Sequence, residues 1–139
     1  MSGEKGWSMN NSKPRMLVVD NEIDICNFVK SFFELRGFAV ATALDGDEAM
    51  ARMGESKPDI VLLDVVMRSR DEGLEYLPRI KKAHPPTKVI IVTAMEDETT
   101  AESAKKLGAD DFITKPLVLE YLETTVWDKI RHLKVVKAQ

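Results

Sequence analysis

Four polar residues, each placed directly after a short apolar run, are the candidates for chemistry in this chain. They are Asp20 after MLVV, Asp64 after IVLL, Thr93 after VIIV and Lys115 after FIT. Continuous apolar runs are typical of parallel strands that are buried on both faces, and ligands bind outside the carboxyl ends of such strands. We therefore expect two carboxylates, a hydroxyl and an ammonium group to meet at one edge of a sheet, where they could hold a phosphoryl group and a cation.

The two carboxylates point to phosphoryl chemistry. A carboxylate can attack phosphorus to form an acyl phosphate, and this reaction needs mainly positioning and charge neutralisation. Mg²⁺ would supply most of the neutralisation, because it prefers oxygen ligands and is usually held by one or two carboxylates, here Asp20 and Asp64, plus phosphate oxygens. Without a metal ion the carboxylates repel each other, so the pKa of one should be raised, and Lys115 would offset part of the repulsion.

Each of these residues also has a plain structural interpretation. Asp20 could cap the first helix, Asp64 could cap a loop, and Thr93 could cap the end of its strand. Lys115 could be a solvated loop lysine. The functional interpretation is favoured for all four residues, and for Lys115 the reason is that a cation is the natural partner of a carboxylate cluster.

The elements that must position these residues alternate strictly between strand and helix. This order predicts an α/β fold, a doubly wound five-stranded parallel sheet with five helices and right-handed crossovers. The predicted strands cover residues 16–19, 38–42, 60–63, 89–92 and 112–114. The predicted helices cover about 22–36, a short segment ended by Gly54, 73–83 with Pro78 inside, 97–107, and a last segment with Leu119, Leu122, Val126, Ile130 and Leu133 on one face.

Two helices differ in how much apolar surface they offer. The fourth has only Ala101, Ala104 and Leu107 on its apolar face, so we expect it to be held loosely. The first helix is richer, with Ile25, Phe28, Val29, Phe32 and Leu35 at a spacing of three and four.

Length and composition predict one ordinary domain. The chain has 139 residues, of which 44% are hydrophobic, and a net charge of −3. We expect a flexible tail at 1–13, the domain at 14–134, and a second tail or the start of a linker at 135–139. The charge argues against direct nucleic-acid binding, and no apolar run approaches the length of a membrane span, so a cytoplasmic protein is expected. The lone Cys26 excludes an internal disulfide and is expected to be inert core.

Four motifs resemble those of the receiver domain of two-component response regulators. They are VVDNE, PDIVLLDVVM, VIIVTA and GADDFITKP, in that order and each at a predicted strand end. The resemblance covers roughly residues 14–133 and implies a flavodoxin-like, CheY-like fold. It also implies a phosphoryl donor that is a sensor histidine kinase or a histidine phosphotransfer protein, and an output that is an unknown partner or a homodimer.

The resemblance implies a role for each matching residue. Asp64 would be the phosphoacceptor, and the backbone carbonyl of Val66 would join the carboxylates around Mg²⁺. The other implied roles belong to Asp20 and Asn21 as metal ligands, Thr93 as the hydroxyl that reaches for the phosphoryl group, Lys115 as its cation, Phe112 as the aromatic switch residue, and Pro116, whose peptide bond with Lys115 would be cis.

This chain departs from the family pattern at two places. Asn21 stands where a second acid is usual, with Glu22 next, so metal affinity is expected to be weaker. After Asp64 the usual Met-Pro is absent, and Gly73 comes one residue late. The intervening Arg68-Ser69-Arg70 is either a solvated turn or an extra cationic contact.

Two rival functions follow from these features. An aspartyl-phosphate hydrolase usually has a second acid two residues after its nucleophile, and here that position is Val66. The other rival is a receiver-like interaction module that works without phosphorylation. For a switching domain, we expect that a phosphoryl group draws Thr93 inward and lets Phe112 turn. The loosely held fourth helix is the easiest element to shift, so the surface of helix four, strand five and helix five should change.

Overall fold

The computed structural model describes residues 13–67, 72–94 and 98–135. Its five strands form one parallel sheet, as the alternating pattern predicts, and their order in the sheet is β2-β1-β3-β4-β5. The chain moves outward from β1 in both directions, so β1 and its neighbour β3 flank the point where the strand order reverses. The strands are β1 (Arg15–Val19), β2 (Ala39–Ala43), β3 (Ile60–Asp64), β4 (Lys88–Thr93) and β5 (Asp111–Thr114).

Helices cover both faces of this sheet. The fifth, α5, consists of three consecutive segments: α-helical Leu119–Tyr121, π-helical Leu122–Val126 and α-helical Trp127–His132. Among the residues with an assigned structure, no helix is long and apolar enough to cross a membrane. The other helices are α1 (Ile23–Glu34), α2 (Gly46–Ser56), α3 (Glu72–Ala83) and α4 (Glu98–Lys106).

The core has two layers because alternate residues of each strand point to opposite faces. Val18 packs in the layer under α1 and α5, whereas Leu17 and Val19 pack in the layer under α2 and α3. Cys26 is buried in the first layer, as expected. Trp127 lies at the edge of the same layer, where its ring stands 6.2 Å from that of Phe38.

Several predicted helix details are wrong. The first helix ends at Glu34, and Leu35 is 86% exposed instead of continuing the apolar face, because the chain has begun to turn toward Gly37. Gly54 does not end α2, which continues to Ser56 and stops at the left-handed Lys57. Leu107 is exposed beyond the end of α4, which leaves two alanines as the buried residues of that helix.

Candidate functional site

The reversal point of the sheet brings the two aspartates together. Asp20 directly follows β1 and Asp64 is the last residue of β3, and these strands are hydrogen-bonded neighbours. Both side chains are buried although each carries a carboxylate. This is the place where open α/β sheets bind ligands.

Each carboxylate is oriented by its own loop in the same way. Oδ1 of Asp20 accepts a hydrogen bond from the backbone N–H of Glu22 at 2.8 Å. Oδ1 of Asp64 accepts one from the backbone N–H of Val66 at 3.2 Å. In each aspartate Oδ1 forms a local turn with the residue two positions on, and the other oxygen is left for the site. The interpretation of Asp20 as a helix cap is wrong, because the N-cap residue of α1 is Glu22.

Lys115 joins the two aspartates. Its Nζ lies 3.0 Å from Oδ2 of Asp20 and 3.0 Å from Oδ2 of Asp64. The lysine is placed by the end of β5, where its backbone N–H donates to the carbonyl of Thr93 at 2.8 Å. The next peptide bond, to Pro116, is cis, as the resemblance implies.

Asp20, Asp64 and Lys115 form a trio in which the two carboxylates repel each other, as expected. Burial, and then the charge of Asp20, raise the pKa of Asp64 from 3.8 to about 6, although the hydrogen bond from Lys115 acts in the opposite direction. Burial alone would lower the pKa of Lys115, but its bonds to Asp20 and Asp64 outweigh burial and raise it. Lys115 therefore stays charged, and Asp64 is ionised above about pH 6.

Thr93 and Phe112 share a cavity next to the trio. Thr93 is the buried last residue of β4, and its hydroxyl donates to the carbonyl of Ala94 at 3.1 Å. Phe112 is half-buried in β5, with Nζ of Lys129 5.3 Å from the centre of its ring. Both residues line a cavity of about 170 Å³ against α4.

The comparisons with known proteins agree with this geometry. Residues 16–126 match the response regulator receiver domain. The chain belongs to the response regulator receiver family. It is 39% identical over 102 residues to the nitrogen assimilation regulatory protein NtrX of Azorhizobium caulinodans, covering 73% of this chain and 22% of that protein. It is 35% identical over 124 residues to the transcriptional regulatory protein ZraR of Escherichia coli K12, covering 89% of this chain and 28% of that protein.

Solved structures support the same family. The receiver domain of NtrX from Brucella abortus has a TM-score of 0.74 and 34% identity, and the match covers 89% of this chain and 99% of that one. A CheY-like receiver domain protein from Methanospirillum hungatei has a TM-score of 0.77 and 27% identity, covering 88% and 98%. This receiver domain thus corresponds to whole receiver domains, whereas it spans less than a third of the regulators NtrX and ZraR.

The family generally uses Mg²⁺, and the oxygen atoms of this receiver domain fit that ion. Asp20 and Asp64 would hold it, with the exposed Asn21 and the backbone carbonyl of Val66 as the further ligands that the resemblance implies. In the described segments, acidic, histidine and cysteine side chains form no cluster of three or more with metal-binding spacing. Two carboxylates with neutral oxygens are consistent with a weak Mg²⁺ site that phosphate oxygens complete.

The C-terminal end of the loop after Asp64 is held against the rest of the receiver domain by hydrogen bonds and close packing. The N–H of Gly73 donates to the carbonyl of Val65 at 2.8 Å, and a Cβ at Gly73 would overlap the carbonyl oxygen of Asp64. Oε2 of the buried Glu72 accepts from the N–H of Gly46 at 3.1 Å. Gly73 therefore reaches its close-packed position despite the longer loop, and Arg68-Ser69-Arg70 lies outside the described residues.

Two carboxylates make contacts that the sequence does not reveal. Glu72 accepts from the N–H of Gly46, and its position directly before Gly73 is the sequence signal that points to a role for it. The sequence singles out Glu22 only as the neighbour of Asn21 at the start of the first helix, yet its Oε1 lies 3.7 Å from Nζ of Lys115.

Proposed function

We propose that this receiver domain accepts a phosphoryl group on Asp64 from a sensor histidine kinase or a histidine phosphotransfer protein, with Mg²⁺. The observation that carries the proposal is the placement of one ammonium, on Lys115, 3.0 Å from an oxygen of each of the buried Asp20 and Asp64. A carboxylate held beside a fixed cation and a second carboxylate suits the transfer of a highly charged group.

In the proposed step, a carboxylate oxygen of Asp64 attacks phosphorus and forms an oxygen–phosphorus bond. The phosphorus–nitrogen bond of the donor breaks, and its electron pair goes to the imidazole nitrogen that leaves. Lys115 then pairs with the transferred phosphoryl group, and the carboxylate of Asp20 remains the second negatively charged group of the site. A bound Mg²⁺ would neutralise part of the charge that develops on the phosphoryl oxygens.

The phosphoryl donor has an adjoining surface on which to dock. An apolar groove of about 650 Å³ lies between α1 and the segment after β5, and Lys115 lines both the groove and the site. Phe28 and Val118 line this groove and are partly exposed. Because a protein donor must bring its phosphohistidine to Asp64, we propose that the apolar face of such a donor covers this groove. Val118→Lys should slow transfer from a protein donor and leave labelling by acetyl phosphate unchanged.

The proposed output is a change of the surface formed by α4, β5 and α5. Only Ala101 and Ala104 are buried along α4, so this helix is weakly held. The cavity beside Thr93 and Phe112 offers the space in which the ring would turn when Thr93 moves toward the phosphoryl group. Amide chemical shifts with and without a beryllofluoride phosphate mimic test this, and changes confined to residues 60–67 would contradict it.

The phosphoacceptor assignment is tested by intact-mass spectrometry after treatment with acetyl phosphate and Mg²⁺. The wild type should gain one phosphate, Asp64→Ala should gain none, and Asp24→Asn, an exposed acid on α1, should behave as wild type. Labelling that survives in Asp64→Ala would refute the assignment.

A phosphorylation-independent interaction module is the second candidate, and the neutral Asn21 favours it. In that case the wild type would bind neither Mg²⁺ nor phosphate at millimolar concentrations. A hydrolase is less favoured because Val66 offers no second acid, so we expect only self-phosphorylation and slow dephosphorylation. A cytoplasmic location and the lack of nucleic-acid binding stay predictions.

A further inference from the structure

Glu22 occupies an unusual position beside the site. It is the N-cap residue directly before α1, where a side chain normally accepts from the free N–H groups of the first turn, yet its carboxylate makes no such bond. The side chain is 62% exposed, and its Oε1 lies 3.7 Å from Nζ of Lys115 instead.

Hydrogen bonds hold the backbone of Glu22 next to the site. The N–H of Glu22 donates to Oδ1 of Asp20, and its carbonyl accepts from Ile25 and Cys26 at 3.1 and 3.2 Å. Asp20 contacts Lys115 through its other oxygen. Asp20, Glu22 and Lys115 therefore form a closed ring of contacts, in which the carboxylate of Asp20 fixes the residue whose side chain reaches the same ammonium.

This ring brings a carboxylate to a site where the neighbouring residue lacks one. Asn21 is neutral, and the next residue, Glu22, brings a carboxylate to the site from a different direction. We propose that Glu22 is a positioning residue of the phosphorylation site, which restores the anionic charge that Asn21 lacks and holds Lys115 in the unphosphorylated molecule. The proposal rests on the function proposed above for Asp64.

Glu22 is also the partner that Lys115 can release. Asp20 and Asp64 are buried and stand 3.0 Å from the ammonium, whereas Glu22 is exposed and stands 3.7 Å away. A phosphoryl group on Asp64 would compete for Lys115 first with the longest and most solvated of these contacts. Since Glu22 also lines the groove beside α1, its release would change the charge at the rim of that groove.

Three variants test the proposal. Glu22→Gln removes the negative charge at position 22. The double variant, Asn21→Asp combined with Glu22→Gln, moves that charge to position 21. Asp24→Asn is the matched control, because Asp24 is an exposed acid in the first turn of the same helix and lines the same groove. Glu22 and Asp24 both face the positive end of α1, so comparing them cancels the effect of the helix dipole.

Two readouts apply to the intact chain. The first is the ¹⁵N resonance of the Lys115 ammonium in metal-free protein, which Glu22→Gln should shift and Asp24→Asn should not. The second is Mg²⁺ affinity by calorimetry, where Glu22→Gln should raise the Kd about two- to fivefold, the range that an exposed ion pair supports. The double variant should return the Kd to the wild-type value or below it.

The outcomes separate this proposal from the phosphoacceptor assignment. If Glu22→Gln and Asp24→Asn give the same ammonium resonance and the same Kd, Glu22 has no specific role and the proposal is overturned. A double variant as weak as Glu22→Gln would overturn the charge-restoring part. Failure of acetyl phosphate to label Asp64 in the wild type would instead remove the proposed function, whereas the metal-free resonance would still report the contact.

Discussion

Replacing Asp64 by asparagine is expected to stabilise the metal-free, unphosphorylated protein at neutral pH. Asp64 is 3% exposed, and burial followed by the charge of Asp20 raises its pKa to about 6 despite the ion pair with Lys115. The ionised carboxylate of Asp64 therefore lowers the stability of the folded protein. An amide removes that charge and keeps an oxygen that can accept from the N–H of Val66.

The magnitude follows from the difference between the folded and unfolded pKa values of Asp64. The folded value is about 6 and the ordinary value is 3.8. One pKa unit corresponds to about 1.4 kcal/mol, so the charged form costs up to about 3 kcal/mol of folding free energy. For a domain of this size that corresponds to a rise in Tm of roughly 10 °C.

The pH dependence has a definite sign. Because the folded pKa is above the unfolded one, the folded state binds more protons between pH 3.8 and about 6. The cost of the ionised Asp64 is therefore complete above about pH 6, declines as the pH falls, and vanishes below the unfolded value. Asp64→Asn should be more stable than the wild type at pH 7.5 and nearly equal to it at pH 4.

Urea unfolding at these two pH values, with a chelator present, measures the effect. Added Mg²⁺ should then stabilise the wild type much more than Asp64→Asn, because a ligand stabilises only the form that binds it. Asp24→Asn controls for removal of an exposed acid and should change the unfolding free energy little. The reasoning fails if Asp64→Asn is no more stable at pH 7.5, or if its advantage is the same at both pH values.

Four further substitutions test the site and the elements around it. Asn21→Asp should tighten Mg²⁺ binding because it adds a charged ligand, and calorimetry showing equal or weaker binding would contradict this. Gly73→Ala should lower the unfolding free energy by about 1–3 kcal/mol because its Cβ would overlap backbone. Gly54→Ala, with open space in α2, should raise it by up to about 1 kcal/mol in the same urea experiment. Val66→Asn should shorten the lifetime of the phosphorylated form, followed by intact mass, because the valine cannot position a water molecule; an unchanged decay rate would refute this.

The sheet was predictable because its strands are buried on both faces. Every residue of β3, from Ile60 to Asp64, is buried, so selection for apolar side chains leaves an uninterrupted run that ends where the site begins. The alternation with helices then restricts the topology to a parallel sheet. Asp20, Asp64 and Lys115 could be expected at one edge for this reason alone.

Helix ends were harder to predict. The spacing of Leu35 fits the apolar face of α1, yet the residue is exposed because the helix stops before it. Gly54 has the residue type of a helix end, but its surroundings in α2 are open and the helix continues. The π-helical segment from Leu122 to Val126 leaves no signal in the apolar spacing. Local propensity is weak, and tertiary packing decides such boundaries.

The sequence by itself therefore determined which apolar runs form the strands and which polar residue follows each run. Only the tertiary structure decided which of these side chains touch. Lys115 and Asp64 are 51 positions apart, and their 3.0 Å contact exists because β4 lies between β3 and β5 and the lysine spans it. The contact of Glu22 was equally hidden, since an exposed glutamate has many rotamers and here the carboxylate of Asp20 holds its backbone beside the ammonium.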